Sequence, residues 1–198
     1  MKALVAANPY TLVVKNSRFV AEVLTAMSQE EARTLLAKQR ASYPDASHVV
    51  HALAIGPTAG VLGCSDDGEP PGTAGRPVLE VLKGSGLTNV LLTVTRWFGG
   101  TKLGTGGLVK AYGDAAKGVL ETATTREIVP MAHLGFTLPY PILEPGKRLL
   151  RDHAFVIQEE SYSAAGDAIR GEIPQSHADE LARLLTDLAR GQIDIERR

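Results

Sequence analysis

The chain has 198 residues, 44% of them apolar and 22% charged, with a net charge of −1. That length holds one generous domain or two modest ones, and the balance excludes a disordered or membrane-embedded chain. No apolar run reaches the roughly 18 residues a bilayer requires, and the start MKALVAANPY lacks a signal-peptide core, so a cytoplasmic protein with no membrane partner is expected. A single cysteine, Cys64, excludes an internal disulfide framework and a cysteine-rich zinc site. It reads as a small buried hydrophobe. Residues 1–130 carry 13 Lys+Arg against 11 Asp+Glu, and residues 131–198 carry 8 against 11. A strong polyanion-binding footprint is excluded, whereas a local basic patch is not.

In chain order, YTLVVK (10–15) and RFVAEVLTAM (18–27) are rich in β-formers around Asn16-Ser17 and predict a hairpin. Ser28 with Glu31 forms a capping box, and Ala32, Leu35, Leu36 and Gln39 mark one helical face up to Tyr43-Pro44. HVVHALAIG is strand-like. Beyond SDDGEPPG, Val78, Leu79, Val81 and Leu82 predict a helix that Gly84 and Gly86 stop; Thr73 is its expected cap, with Pro77 near its first turn. NVLLTVTRW has the continuous apolar content of a central strand. It runs into TRWFGGTKLGTGG, which packs five glycines into nine residues.

After that turn, Leu108, Tyr112, Ala115, Val119, Leu120 and Ala123 recur at helical spacing, while Lys110, Asp114, Lys117 and Glu121 predict an outer face paired at i,i+4. Beyond REIVPM the pattern restarts. HLGFTLPY, a helix near LEPGKRLLRDH, FVIQEESYSA, DAIRGEIPQ, a helix capped by Ser176 with Asp179 at its third position, and IDIE give a β-α-β-β-α-β order. That order is the ferredoxin-like split βαβ unit. The expected fold is α+β in two domains, residues 1–131 and 132–198.

The glycine turn matches no named phosphate motif. Gly99 and Gly104 have Walker A spacing, but Thr105 stands where a lysine is required, and Gly104 and Gly106 are followed by Val109 rather than a third glycine. A strand, a glycine turn and a helix start still offer an anion free N–H groups and a helix dipole. The competing reading is that the glycines supply positive φ and close packing of helix on strand. In SDDGEPPGTAGRP, Asp66, Asp67 and Glu69 are a candidate Mg²⁺ ligand set that a substrate phosphate would complete. Asp-Gly and Pro-Pro are equally ordinary turn chemistry. His48 and His51, three apart on a strand, face opposite sides and make a poor chelating pair. Neither a G-x-S-x-G elbow nor H-E-x-x-H occurs, and no catalytic residue is assigned.

SDDGEPPGTAGRPVLEVL, NVLLTVTRWFGGTKLGTGGLVKAY and the HVVHALAIG strand together resemble the YigZ/IMPACT family over most of residues 15–125. The resemblance implies an amino-terminal α/β sandwich like the second domain of a small-subunit ribosomal protein, as in elongation factor G domain IV. It implies a carboxy-terminal domain like elongation factor G domain V. It also implies a connection with translation and a contact with nucleic acid or the ribosome. Val50 stands where the family often has a cysteine, two residues after the histidine matching His48, and Trp97 replaces the commoner tyrosine. A thiol mechanism at that position is therefore not expected.

The resulting expectation is a non-catalytic, translation-linked protein that binds RNA or the ribosome through the glycine-rich basic turn, with no cofactor. Arg96, Lys102 and Lys110 are its phosphate contacts, with Arg76 and the backbone of Gly99, Gly100, Gly104, Gly106 and Gly107 beside them. One alternative is a Mg²⁺-dependent enzyme on a phosphorylated small molecule, using Asp66, Asp67 and Glu69. Another is a regulatory module that docks a protein partner through the carboxy-terminal domain.

Overall fold

Residues 1–197 are described by a computed structural model, and the chain divides into two compact units, Met1–Ile128 and a second that starts at Val129. The first unit runs β1 (Lys2–Ala6), β2 (Tyr10–Val14), β3 (Ser17–Thr25), α1 (Gln29–Ser42), β4 (His48–Ile55), β5 (Val61–Ser65), α2 (Gly75–Ser85), β6 (Leu87–Thr88), β7 (Val90–Trp97), α3 (Gly104–Glu121) and β8 (Thr124–Glu127). Its main sheet has the order β2-β3-β7-β4-β5, with every neighbouring pair antiparallel. β7 is central, which is why its residues are buried from Val90 to Arg96. The β2–β3 hairpin turns on Lys15 and Asn16, at φ 45° and 66°, as a two-residue turn matched to strand twist requires.

One face of this sheet is covered by α2 and α3, whose Val78, Leu82, Leu108, Tyr112, Ala115 and Val119 meet Phe19, Ala21, Val50, Leu92 and Val94. The other is partly covered by α1, through Ala32, Leu35 and Leu36 against Leu53, Ile55 and Leu91. Ser28 caps α1 by accepting from the Glu31 N–H at 3.1 Å, and the Glu31 carboxylate returns to the Met27 N–H at 2.8 Å. β1 lies between β6 and β8 in a separate three-stranded sheet. These short strands, like β5, carry too little apolar alternation to read from sequence.

Two local expectations are corrected in this unit. Cys64 is exposed, because β5 is an edge strand of the sheet. Thr73 does not cap α2; its hydroxyl donates to the Pro70 carbonyl at 2.7 Å, and the cap comes from elsewhere.

The second unit comprises β9 (Met131–Leu138), α4 (Leu143–Asp152), β10 (Val156–Ser163), β11 (Gly166–Pro174), α5 (Gln175–Leu188) and β12 (Ile195–Arg197). Its antiparallel sheet has the order β10-β11-β9-β12, the split βαβ arrangement. Leu150 of α4 and Leu181 and Leu185 of α5 pack on Leu134, Phe136, Leu138, Ile169 and Ile173 of the strands. Ser176 is not a cap: α5 begins directly after Pro174 with no side-chain cap. Asp179 instead pairs with Arg197 at 2.5 Å. The chain is thus α+β in two units, and among the described residues no helix is long and apolar enough to cross a membrane.

Candidate functional site

The acidic turn between β5 and α2 sends its carboxylates to separate groups of donors. Asp66 accepts from the N–H groups of Gly72, Ala74 and Gly75 at 2.9, 3.0 and 2.8 Å, so it is the cap of α2. Burial pushes its carboxyl up, but these backbone bonds outweigh that and hold its pKa below the usual range. Asp67 accepts from the Val49 N–H at 2.6 Å and pairs with Arg40. Its carbonyl oxygen lies 2.7 Å from His48 Nδ1. A carbonyl only accepts, so Nδ1 carries the proton and Nε2 is left facing Glu69 Oε1 at 3.7 Å.

Glu69 is buried in the unit's interior. Its Oε1 accepts from Arg96 Nη1 at 2.6 Å and from the Tyr112 hydroxyl at 2.7 Å. Burial, and then the hydrogen bond to Glu69, push the Tyr112 pKa far upward, which keeps the hydroxyl a donor. All three proposed metal-binding carboxylates therefore already accept from protein donors. Among the described residues, no three His, Cys, Asp or Glu side chains are placed to hold an ion together.

The glycines of the second turn have different roles. A Cβ on Gly99 would stand 2.0 Å from the Asn16 carbonyl carbon and 2.3 Å from the Ser17 nitrogen, so the turn lies directly against the β2–β3 hairpin. The Ser17 hydroxyl fastens that contact, accepting from the Gly99 N–H at 3.1 Å and from Arg96 Nη2 at 3.3 Å. Gly100 and Gly104 sit at φ +83° and +73°, the left-handed region that favours glycine. A Cβ at Gly107 would touch Leu103 at 3.1 Å, whereas one at Gly106 would meet nothing within 4 Å among the described residues. Folding alone explains Gly99, Gly100 and Gly104; it does not explain Gly106.

Gly104 opens α3 without a side-chain cap, and Lys102, Gly104, Thr105 and Gly106 are all exposed. Beside them is a cavity of about 340 Å³, lined by Lys102, Gly104, Thr105, Phe98, Arg96 and Glu69, with Pro70, Leu103 and Leu108 as apolar walls. The two motifs, separated in sequence, meet there. Of the anticipated anion contacts, the fold brings Arg96, Lys102 and Gly104 together at this cavity. Arg96 is only 5% exposed and is neutralised by Glu69. Lys110 pairs with Asp114 at 2.7 Å on the outer face of α3. Arg76 is exposed on the first turn of α2 and does not line the cavity.

Phe98, 50% exposed at the cavity, joins Tyr112, Ser17 and Arg40 as participants to which the sequence alone gives no role in the site. Period-two alternation offered one usable signal: Arg96 shares the face of Leu92 and Val94, which is the core face. A core arginine requires a buried partner.

The Impact N-terminal domain family model matches residues 15–120, a span that contains both turns. An IMPACT family member in the pol 5′ region of Thermus thermophilus is 36% identical over 185 residues, covering 93% of this chain and 99% of that protein. The IMPACT family member YigZ of Escherichia coli (strain K12) is 36% identical over 196 residues, covering 97% and 96%. A crystal structure of a hypothetical protein matches 98% of this chain and 95% of its own at 34% identity, with a TM-score of 0.67.

Proposed function

The chain belongs to the IMPACT family, and on that footing we propose a non-catalytic, translation-linked protein that binds RNA or the ribosome through the turn at the start of α3. The observation that supports the reading is the uncapped, exposed first turn of α3 opening beside Lys102 onto a cavity. The first N–H groups of a helix have no partner within it, and with the helix dipole they favour a phosphate. Gly106 adds to this, since among the described residues nothing outside its own helical turn lies within 4 Å of where a Cβ would stand, while a backbone bare of side chain admits a phosphate closely. Lys102 is the cation at the site. Arg96 supports the floor, and Lys110, held by Asp114, is peripheral.

Co-sedimentation with ribosomes and titration with structured RNA, each across a salt series, test this reading. Phosphate contacts release counterions, so affinity falls as salt rises, and Lys102→Ala flattens the log–log slope by about 0.7 to 0.9. Lys117→Ala is the control, because its residue lies roughly 20 Å along α3 from Gly104 at 1.5 Å per residue. Absence of binding at low salt, or identical behaviour of the two variants, overturns the proposal.

A further inference from the structure

The cavity beside α3 carries more than an anion site needs. Arg96 is 5% exposed and its outer nitrogens are used by Glu69 and Ser17, yet its buried Nε–H has no hydrogen-bond partner among the described residues. A buried donor left unpaired is costly, and this one belongs to a residue on the cavity wall. The atom has almost no exposed surface, so an acceptor from outside the chain reaches it only when the cavity wall adjusts on binding, and the cost of the unpaired donor favours that adjustment. Phe98 is an aromatic ring left half exposed at the same cavity, with the Arg96 guanidinium carbon 5.6 Å from its centroid. An aromatic ring beside a few convergent polar groups within one cavity is the lining that small-molecule sites use. Lys102 and the uncapped start of α3 add the anion-binding end.

Resting on the RNA-binding reading above, we propose that this cavity takes a single unpaired nucleotide carrying a 5′-phosphate. The base stacks on Phe98, its polar edge meets the Arg96 Nε–H and the Glu69 carboxylate, and the phosphate sits on Lys102 and the first turn of α3. A nucleotide presents these three features together: a π-face, an edge with both donors and acceptors, and an anion. A paired base in a duplex cannot serve, because its edge is occupied and its face is covered by its neighbours. The same chemistry is offered by a free nucleoside monophosphate and by an unpaired residue within RNA.

The full-length ¹⁵N-labelled protein is titrated with inorganic phosphate, ribose 5-phosphate, the four nucleoside 5′-monophosphates, a 5′-phosphorylated dinucleotide and a blunt RNA hairpin. The Arg96 Nε–H resonance reports the floor, and Trp97 fluorescence reports the neighbouring turn. The monophosphates are expected to move the Arg96 resonance, which inorganic phosphate leaves in place. At least one is expected to bind about tenfold or more tightly than ribose 5-phosphate, the scale of one base–aromatic stack. Phe98→Ala abolishes that preference and Phe98→Tyr, which keeps the ring, restores it; both change an exposed residue. Lys102→Ala weakens ribose 5-phosphate and the monophosphates alike. A dinucleotide that binds more tightly than its monophosphate identifies RNA as the source, and equal binding identifies the free nucleotide.

The proposal is overturned if no monophosphate outbinds ribose 5-phosphate, if Phe98→Ala leaves the preference intact, or if the Arg96 resonance does not move. Should RNA still bind with the Lys102-dependent salt slope in those cases, only the nucleotide assignment falls. Should monophosphates bind while neither RNA nor ribosomes do, the cavity assignment stands and the RNA-binding reading falls.

Discussion

At Arg96 the strand pattern and the charge pull in opposite directions. Alternation along β7 puts the residue on the core face with Leu92 and Val94, where an ionised group is tolerated only with a partner. Glu69, 27 residues earlier, supplies it at 2.6 Å, and both side chains are almost wholly buried. Glu69→Gln keeps the volume and removes the charge, leaving the guanidinium buried and uncompensated. The expected cost is about 3 to 5 kcal/mol, measured as a fall in the urea midpoint at unchanged slope. A loss below about 1 kcal/mol would mean that Arg96 reaches solvent when the pair is broken, as surface pairs do. The face occupied by Arg96 was legible in the sequence. Its partner was not, because nothing local couples position 69 to position 96; the fold alone joins the acidic turn to the end of β7.

At the scale of the element, α3 and the turn before it combine folding and binding requirements within nine residues. The helix itself was legible from its apolar stripe, but the glycines could not be sorted without knowing what lies beside each one. Gly99 abuts the Asn16 backbone, whereas among the described residues nothing lies within 4 Å of a Cβ at Gly106, a distinction that depends on the distant β2–β3 hairpin. Caps show the same division. Ser28 caps α1 from the adjacent position and was readable, whereas Asp66 reaches across eight residues to the Ala74 N–H and displaces the expected Thr73. The glycine assignments separate cleanly on substitution. Gly99→Ala forces backbone atoms apart and is expected to cost at least about 2 kcal/mol, the range of overpacked sites. Gly106→Ala is expected to be neutral or to stabilise the unliganded protein by up to about 1 kcal/mol, since alanine is the better helix former. Thermal unfolding checks both, and a destabilised Gly106→Ala would return that glycine to a structural role.

Across the whole molecule, the two units have different charge balances and separate hydrophobic cores. Residues before Met131 carry 13 basic against 11 acidic side chains, and those from Met131 onward carry 8 against 11. The cavity, Lys102 and the helix start all belong to the first unit, so the phosphate-binding proposal makes no demand on the second. The restart of the pattern after REIVPM was legible because a second set of apolar faces begins there, and those faces close on one another: Leu134, Phe136 and Leu138 meet Leu150, Ile169, Ile173, Leu181 and Leu185. Residues 129–198 expressed alone are therefore expected to unfold cooperatively in urea, with coincident far-UV and near-UV transitions. A core of this size rarely yields more than about 3 to 5 kcal/mol, so the midpoint should be modest, and the excess of acidic groups should keep the fragment soluble at neutral pH. A fragment that retains its far-UV signal, loses its near-UV signal and binds a hydrophobic dye would be a molten globule. That result would mean that the four-stranded sheet and its two helices depend on the first unit for their fixed packing.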